Sequence, residues 1–141
     1  MDKNTVLAMF LRIITEYEYL EYTEEELAEE FDELLTMAQV ELQLQGLLED
    51  LTDETVLSST EHYILAYACV LLWVTPKVNS AELLAAQLTS TDFTQFSNAN
   101  RLNACLKLYS SCEAKLNNLI ADYDGRSVLA SIKKELSDKD V

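Results

Sequence analysis

The chain has 141 residues, 49% of them hydrophobic, with two glycines (Gly46, Gly125) and one proline (Pro76). Such a length suits one domain with a real core, and the scarcity of turn formers excludes many-stranded folds. The formal net charge of −15 arises wholly in residues 1–62, where 17 acids face Lys3 and Arg12, and such a surface excludes sequence-specific binding to nucleic-acid phosphates. The charge leaves four readings: solubility, a basic partner, mimicry of DNA, or a wall past which DNA slides.

The start, MDKNTVLAMFLRII, is too acidic and amphipathic for a secretion signal and lacks a small-residue cleavage site. The first helix is predicted from about Asn4 to Tyr19. Val6, Met9, Phe10, Ile13, Ile14, Tyr17 and Leu20 follow the i, i+3, i+4 spacing of one buried face.

Thr23 and Glu26 have the spacing of a capping box and open the second helix. Its predicted buried face is Leu27, Phe31, Leu34, Leu35, Ala38 and Leu42, with Glu25, Glu29, Glu30, Asp32 and Glu33 largely elsewhere around it. Like-charge pairs such as Glu25/Glu29 and Glu29/Glu33 each cost roughly 0.2–0.5 kcal/mol. Burying Leu27, Phe31, Leu34 or Leu35 contributes about 1.5–3 kcal/mol each, so packing decides. Gly46 falls near the end of this helix or at a bend. Residues 47–57 read as a joint with room for one short turn.

Ser58 and Glu61 repeat the capping box. The third helix is predicted over about 59–75, apolar nearly all round, stopping before Pro76. Its apolar run, Tyr63 to Val74, has 12 residues. A membrane span needs about 20, so a buried helix is expected rather than a membrane segment. Asn79 and Glu82 open a predicted short helix over 80–89, with Leu83, Leu84 and Leu88 inward. Phe93 and Phe96 anchor a connector. Ser97 caps a last long helix over about 98–123, with a stripe of Leu102, Cys105, Leu106, Tyr109, Cys112, Leu116, Leu119, Ile120 and Tyr123. Gly125 reads as its stop. Val128, Leu129 and Ile132 suit one further short helix, and residues 137–141 read as a frayed tail. The expected fold is all-α: a compact bundle of about four to six helices in a single domain, 1–136, with a central apolar helix.

No catalytic, cofactor or metal site is legible. His62 is the sole histidine and reads as a surface or capping residue. Neither HExxH nor CxxC occurs, and a diiron site would need Glu-x-x-His on two helices. No glycine-rich phosphate loop and no Gly-x-Ser-x-Gly is present. Cys105 and Cys112 share a helix face about 10 Å apart, too far for a disulfide. They read as two small core residues more readily than as a redox or metal pair. With Cys69 they make an odd number without framework spacing, which suits a reducing cytoplasm. The carboxylates read as a solvated face rather than an acid/base pair, and no enzymatic function is expected. The segment Trp73 to Ser80 reads either as a helix–helix corner plugged by the indole or as a contact with a neighbouring subunit, where tryptophan is enriched.

One pattern goes further. Leu65-Ala66-Tyr67, Trp73 and Pro76-Lys77-Val78-Asn79 precede a leucine-rich turn. Asp92-Phe93, Phe96-Ser97, Ala99-Asn100 and Leu102 follow, then a long helix ending in an aromatic. Over residues 63–124 the chain resembles head–tail connector (adaptor or neck) proteins of tailed phages, encoded beside capsid and portal genes. The resemblance implies a helical protomer that forms a homo-oligomeric ring under the portal protein. That ring extends the DNA channel and docks the tail or next neck protein. DNA passes it without specific contact, and neither a membrane, a cofactor nor a small-molecule substrate is involved. Such a protein is made in the host cytoplasm and resides in the virion at the head–tail junction. Trp73, Pro76, Lys77, Val78, Asn79, Phe93 and Phe96 are then candidate assembly residues. Glu25, Glu29, Glu30, Asp32 and Glu33 are candidates for an acidic channel wall or an outer rim. The first half carries no motif of this family. Two other readings stand beside it: a small acidic inhibitor or DNA mimic that binds a basic host nuclease, and a helical scaffold or regulatory adaptor.

Overall fold

The computed structural model describes residues 1–15, 23–48, 55–87 and 92–139. They form four helices: α1 (Lys3–Thr15), α2 (Glu24–Leu44), α3 (Ser59–Gln87) and α4 (Asp92–Lys139). No strand occurs among the described residues, so the all-α expectation holds.

Local chemistry explains most helix ends. Asp2 caps α1: its carboxylate accepts from the Asn4 amide at 3.1 Å and from the Thr5 hydroxyl at 2.7 Å. Thr23 caps α2, with its hydroxyl accepting from the Glu26 amide at 3.2 Å. The Ser58 box closes in both directions. The Glu61 amide donates to Ser58 Oγ at 3.2 Å, and the Ser58 amide donates to Glu61 Oε1 at 3.0 Å. The α2 end is a Schellman turn. Gly46 takes φ 76°, its amide donates to the Gln43 carbonyl at 2.9 Å, and the Leu47 amide donates to the Leu42 carbonyl at 2.8 Å. A positive φ costs a Cβ-bearing residue roughly 1–2 kcal/mol, which is why glycine stands there.

Two expected stops are not stops. Pro76 lies inside α3, and as far as Gln87 the short helix expected over 80–89 is the same helix continued. An internal proline costs about 3 kcal/mol. Packing on both sides of it opposes that cost. Trp73 and Val74 are buried before it, and Val78 packs on the core after it. The ring itself faces solvent. The Thr75 hydroxyl donates back to the Leu71 carbonyl at 2.6 Å. Similarly, α4 begins at Asp92 rather than at a Ser97 cap and runs through Gly125 to Lys139, past the expected fray point. A glycine inside a helix costs only about 0.5–1 kcal/mol relative to alanine, too little to end one alone. Tyr17, Leu20, Leu88 and Thr91 lie outside the described residues, as do the side chains of Leu83, Leu84, Val128 and Leu129.

α3 is the central helix and packs against each of the other three. α1 lies against it, with Phe10 edge-on to Trp73 at 5.8 Å. α2 runs antiparallel to α1: Phe31 meets Phe10 at 5.8 Å, and Gln39 reaches Met1 Sδ at 3.2 Å. α4 returns antiparallel to α3, with Lys115 over Tyr67 and Tyr123 near Glu61. Val6, Phe10, Ile13, Ile14, Leu27, Phe31, Leu35, Ala38 and Leu42 are buried as expected. Met9 and Leu34 are only partly covered. The α4 stripe departs at one position. Leu106 is 37% exposed whereas Leu108 is wholly buried. Counting back from Cys112 by four gives Leu108, while Leu106 sits about 100° around from Cys105. Cys69, Cys105 and Cys112 are all buried, in line with a core role.

Candidate functional site

The segment around Pro76 divides between core and surface. Trp73 is 5% exposed and belongs to the core. Pro76 and Asn79 are exposed, and Lys77 and Val78 are half-buried. The Lys77 ammonium sits 4.6 Å from the centre of the Trp73 ring. Its alkyl stem and charge therefore roof the indole, a cation–π contact of about 0.5–1 kcal/mol near the surface. What this segment offers a partner is Pro76, Asn79 and the head of Lys77. Phe93 and Phe96 lie in the first turns of α4, but their side chains are outside the described ones.

The acidic residues are where periodicity puts them. Glu25, Glu29, Glu30, Asp32 and Glu33 are all exposed on α2, with Glu26 beside them. Asp32 meets Lys3 at 3.6 Å, both side chains well exposed. Such a pair contributes little to stability. Thr23, Glu25, Glu26 and Glu29 line a shallow depression at the start of α2. These carboxylates are spread along one helix face rather than converging on a point.

Sequence reasoning missed a groove. Among the described residues, α1 and α4 flank α3 and leave its Tyr63/Tyr67 face only partly covered. A cleft of about 200 Å³ opens there, lined by Met9 and Arg12 of α1, Tyr63 and Tyr67 of α3, and Lys115 of α4. An adjoining, wider cavity of about 400 Å³ adds Asn118 and Leu119. The two tyrosine rings stack at 6.3 Å with a 27° interplanar angle. Lys115 Nζ lies 5.8 Å from the Tyr67 ring centre. The groove thus combines two cations with aromatic and thioether surface in a chain of net charge −15. That combination is chemically complementary to a carboxylate-bearing, partly apolar segment. One sequence signal was available: Tyr63 and Tyr67, one turn apart, put phenols on one side of an otherwise apolar helix.

The titratable groups in the core are poorly suited to chemistry. Burial pushes the Cys69 thiol up to about 12. Burial also raises Cys105, against the opposing charges of Lys77 and Arg101. Thiols held protonated are weak nucleophiles at neutral pH. Burial raises the Tyr123 phenol, with Glu61 and Asp124 adding to it. The exposed Asp2 carboxyl is lowered, chiefly by the Thr5 hydroxyl. His62 Nδ1 lies 2.9 Å from the Ser58 carbonyl, so that nitrogen carries the proton. Its Nε2 is buried without a hydrogen-bond partner among the described residues.

Among the described residues no group of three or more His, Cys, Asp or Glu side chains could hold a metal ion. No helix among them is long and apolar enough to cross a membrane. No protein-family model matches the chain, and no curated protein or solved structure does either.

Proposed function

We propose that the chain is a structural virion protein, a head–tail connector whose copies form a ring under the portal. In that position it extends the DNA channel and docks the tail or next neck protein. The reading involves no catalysis, cofactor or small-molecule substrate. The observation that carries it is the pattern from Leu65 to Asn79 and from Asp92 to Leu102. Two further features support it. The corner residues divide into a core member, Trp73, and surface members, Pro76 and Asn79, as a protomer that folds and then assembles requires. The α2 acids are exposed, and fixed negative charge repels phosphates within a Debye length of about 8 Å at physiological salt. A channel wall made of such faces keeps DNA from sticking.

Mass spectrometry of purified particles, with electron microscopy of the neck, tests the reading. The protein is expected in the neck in ring stoichiometry. Particles that contain none of it defeat the proposal. The exposed acids of α2 also favour a second reading, a DNA mimic that binds a basic host nuclease. That reading expects a salt-sensitive complex with such a nuclease and inhibition of its DNA cleavage; unchanged cleavage at low salt defeats it.

A further inference from the structure

α2 carries two seams. The inner one packs on the core. The outer one, Glu26, Glu30, Glu33, Met37, Val40 and Leu44, steps by 4, 3, 4, 3 and 4 residues and is exposed throughout. This is the spacing with which one helix presents a continuous edge to another. Its character changes along its length. The first half is acidic; the second is apolar, with Met37 46%, Val40 49% and Leu44 78% exposed. Burying residues of this kind is favourable, yet the fold leaves much of their surface in water.

The groove between α1 and α4 has the complementary character. Arg12 and Lys115 supply positive charge, and Met9, Tyr63, Tyr67 and Leu119 supply apolar surface. No residue of α2 lines it. We propose that the outer seam of α2 in one copy of the chain docks in the α1–α4 groove of a second copy. Glu30 and Glu33 meet Arg12 and Lys115, while Met37 and Val40 cover the tyrosine floor. The seam and the groove are different patches, so the contact is heterologous: each copy offers a seam to one neighbour and a groove to the other. Contacts of this type propagate and close into rings when the rotation permits. The choice of a second copy as occupant rests on the ring reading together with this complementarity. In residues 1–62, Lys3 and Arg12 are the only bases; Lys3 faces Asp32 of its own chain, and Arg12 lines the groove.

Sedimentation velocity on the full chain and two double variants provides the test. Arg12→Glu/Lys115→Glu blocks the groove, and Met37→Lys/Val40→Lys blocks the seam. All four side chains are exposed, so both double variants should still unfold cooperatively by circular dichroism, the groove variant at a somewhat lower temperature because Lys115 leaves the Tyr67 ring. Lys107→Glu, an exposed change outside the groove, controls for added negative charge. The parent is expected to self-associate with rising concentration. Each double variant should associate on the order of a hundredfold more weakly, as like charges or a lysine now face the interface. A mixture of the two retains one good seam and one good groove. It should therefore form a one-to-one dimer and nothing larger. A parent that stays monomeric at its highest soluble concentration overturns the proposal. So does a mixture that fails to dimerise, or double variants that associate as the parent does. Those results leave the connector reading to particle composition. Conversely, the expected dimer with protein-free particles would retain the contact and remove the connector role.

Discussion

Replacing Trp73 by alanine probes the joint on which three helices converge. The indole is 5% exposed, edge-on to Phe10 at 5.8 Å, and roofed by Lys77 at 4.6 Å. Removing a buried tryptophan costs about 3–5 kcal/mol through lost transfer energy and the void left behind. Loss of the edge-to-face pair contributes about 0.5–1.5 kcal/mol of that range or beyond it. A figure near 4 kcal/mol is a large share of the about 5–15 kcal/mol that typically holds a domain folded. The unfolded fraction should rise on the order of a thousandfold. Urea unfolding followed by circular dichroism reads this directly. Fluorescence does not serve, because Trp73 is the only tryptophan. Trp73→Phe keeps a ring against Phe10 and should lose roughly half as much. An alanine variant within about 1 kcal/mol of the parent would refute the reasoning, since no core plug of this size is that dispensable.

Pro76→Ala should stabilise the protein by about 2 kcal/mol: the helix-interior penalty is relieved, less what proline saves in the unfolded chain. A lower urea midpoint would contradict the straight-through helix. Gly46→Ala should cost about 1–2 kcal/mol, because alanine must take the positive φ of the Schellman turn; an unchanged midpoint would show that the turn does not end α2 this way. Cys69 should resist thiol reagents at pH 8 until the protein is unfolded, and fast native labelling would place it nearer the surface. Its folded-state thiol is raised from 9.0 to about 12. Its neutral form therefore supports the fold below about pH 9, and that support is lost as pH rises towards about 12. Cys69→Ala should remove this share of the alkaline loss, and an identical pH profile in the variant would refute the assignment.

The legible parts of the fold were those set by near neighbours. The caps at Thr23 and Ser58 need only three residues of context, and both open helices where expected, the second as a full reciprocal box. The inner faces of α1 and α2 follow directly from periodicity. Pro76 misled because it weakens a helix by a fixed local amount, while packing on both sides decides whether the helix survives it; Gly125 misled because the cost of one glycine is too small to end a helix alone. On α4, Leu106 and Leu108 are both leucines, and only the position of α3 distinguishes the buried one from the exposed one. The groove was illegible because Arg12, Tyr67 and Lys115 are far apart in the chain and come together only in space. The outer seam of α2 has a readable spacing, but whether Met37, Val40 and Leu44 are covered depends on elements distant in the chain.

The central place of α3 bears on how the chain emerges from the ribosome. α1 and α2 both settle on a helix that is made after them. At synthesis rates of about 5–20 residues per second, their greasy faces wait several seconds for a partner. During that interval the nascent segment carries the whole −15. Chains growing side by side on one message therefore repel each other while they are stickiest.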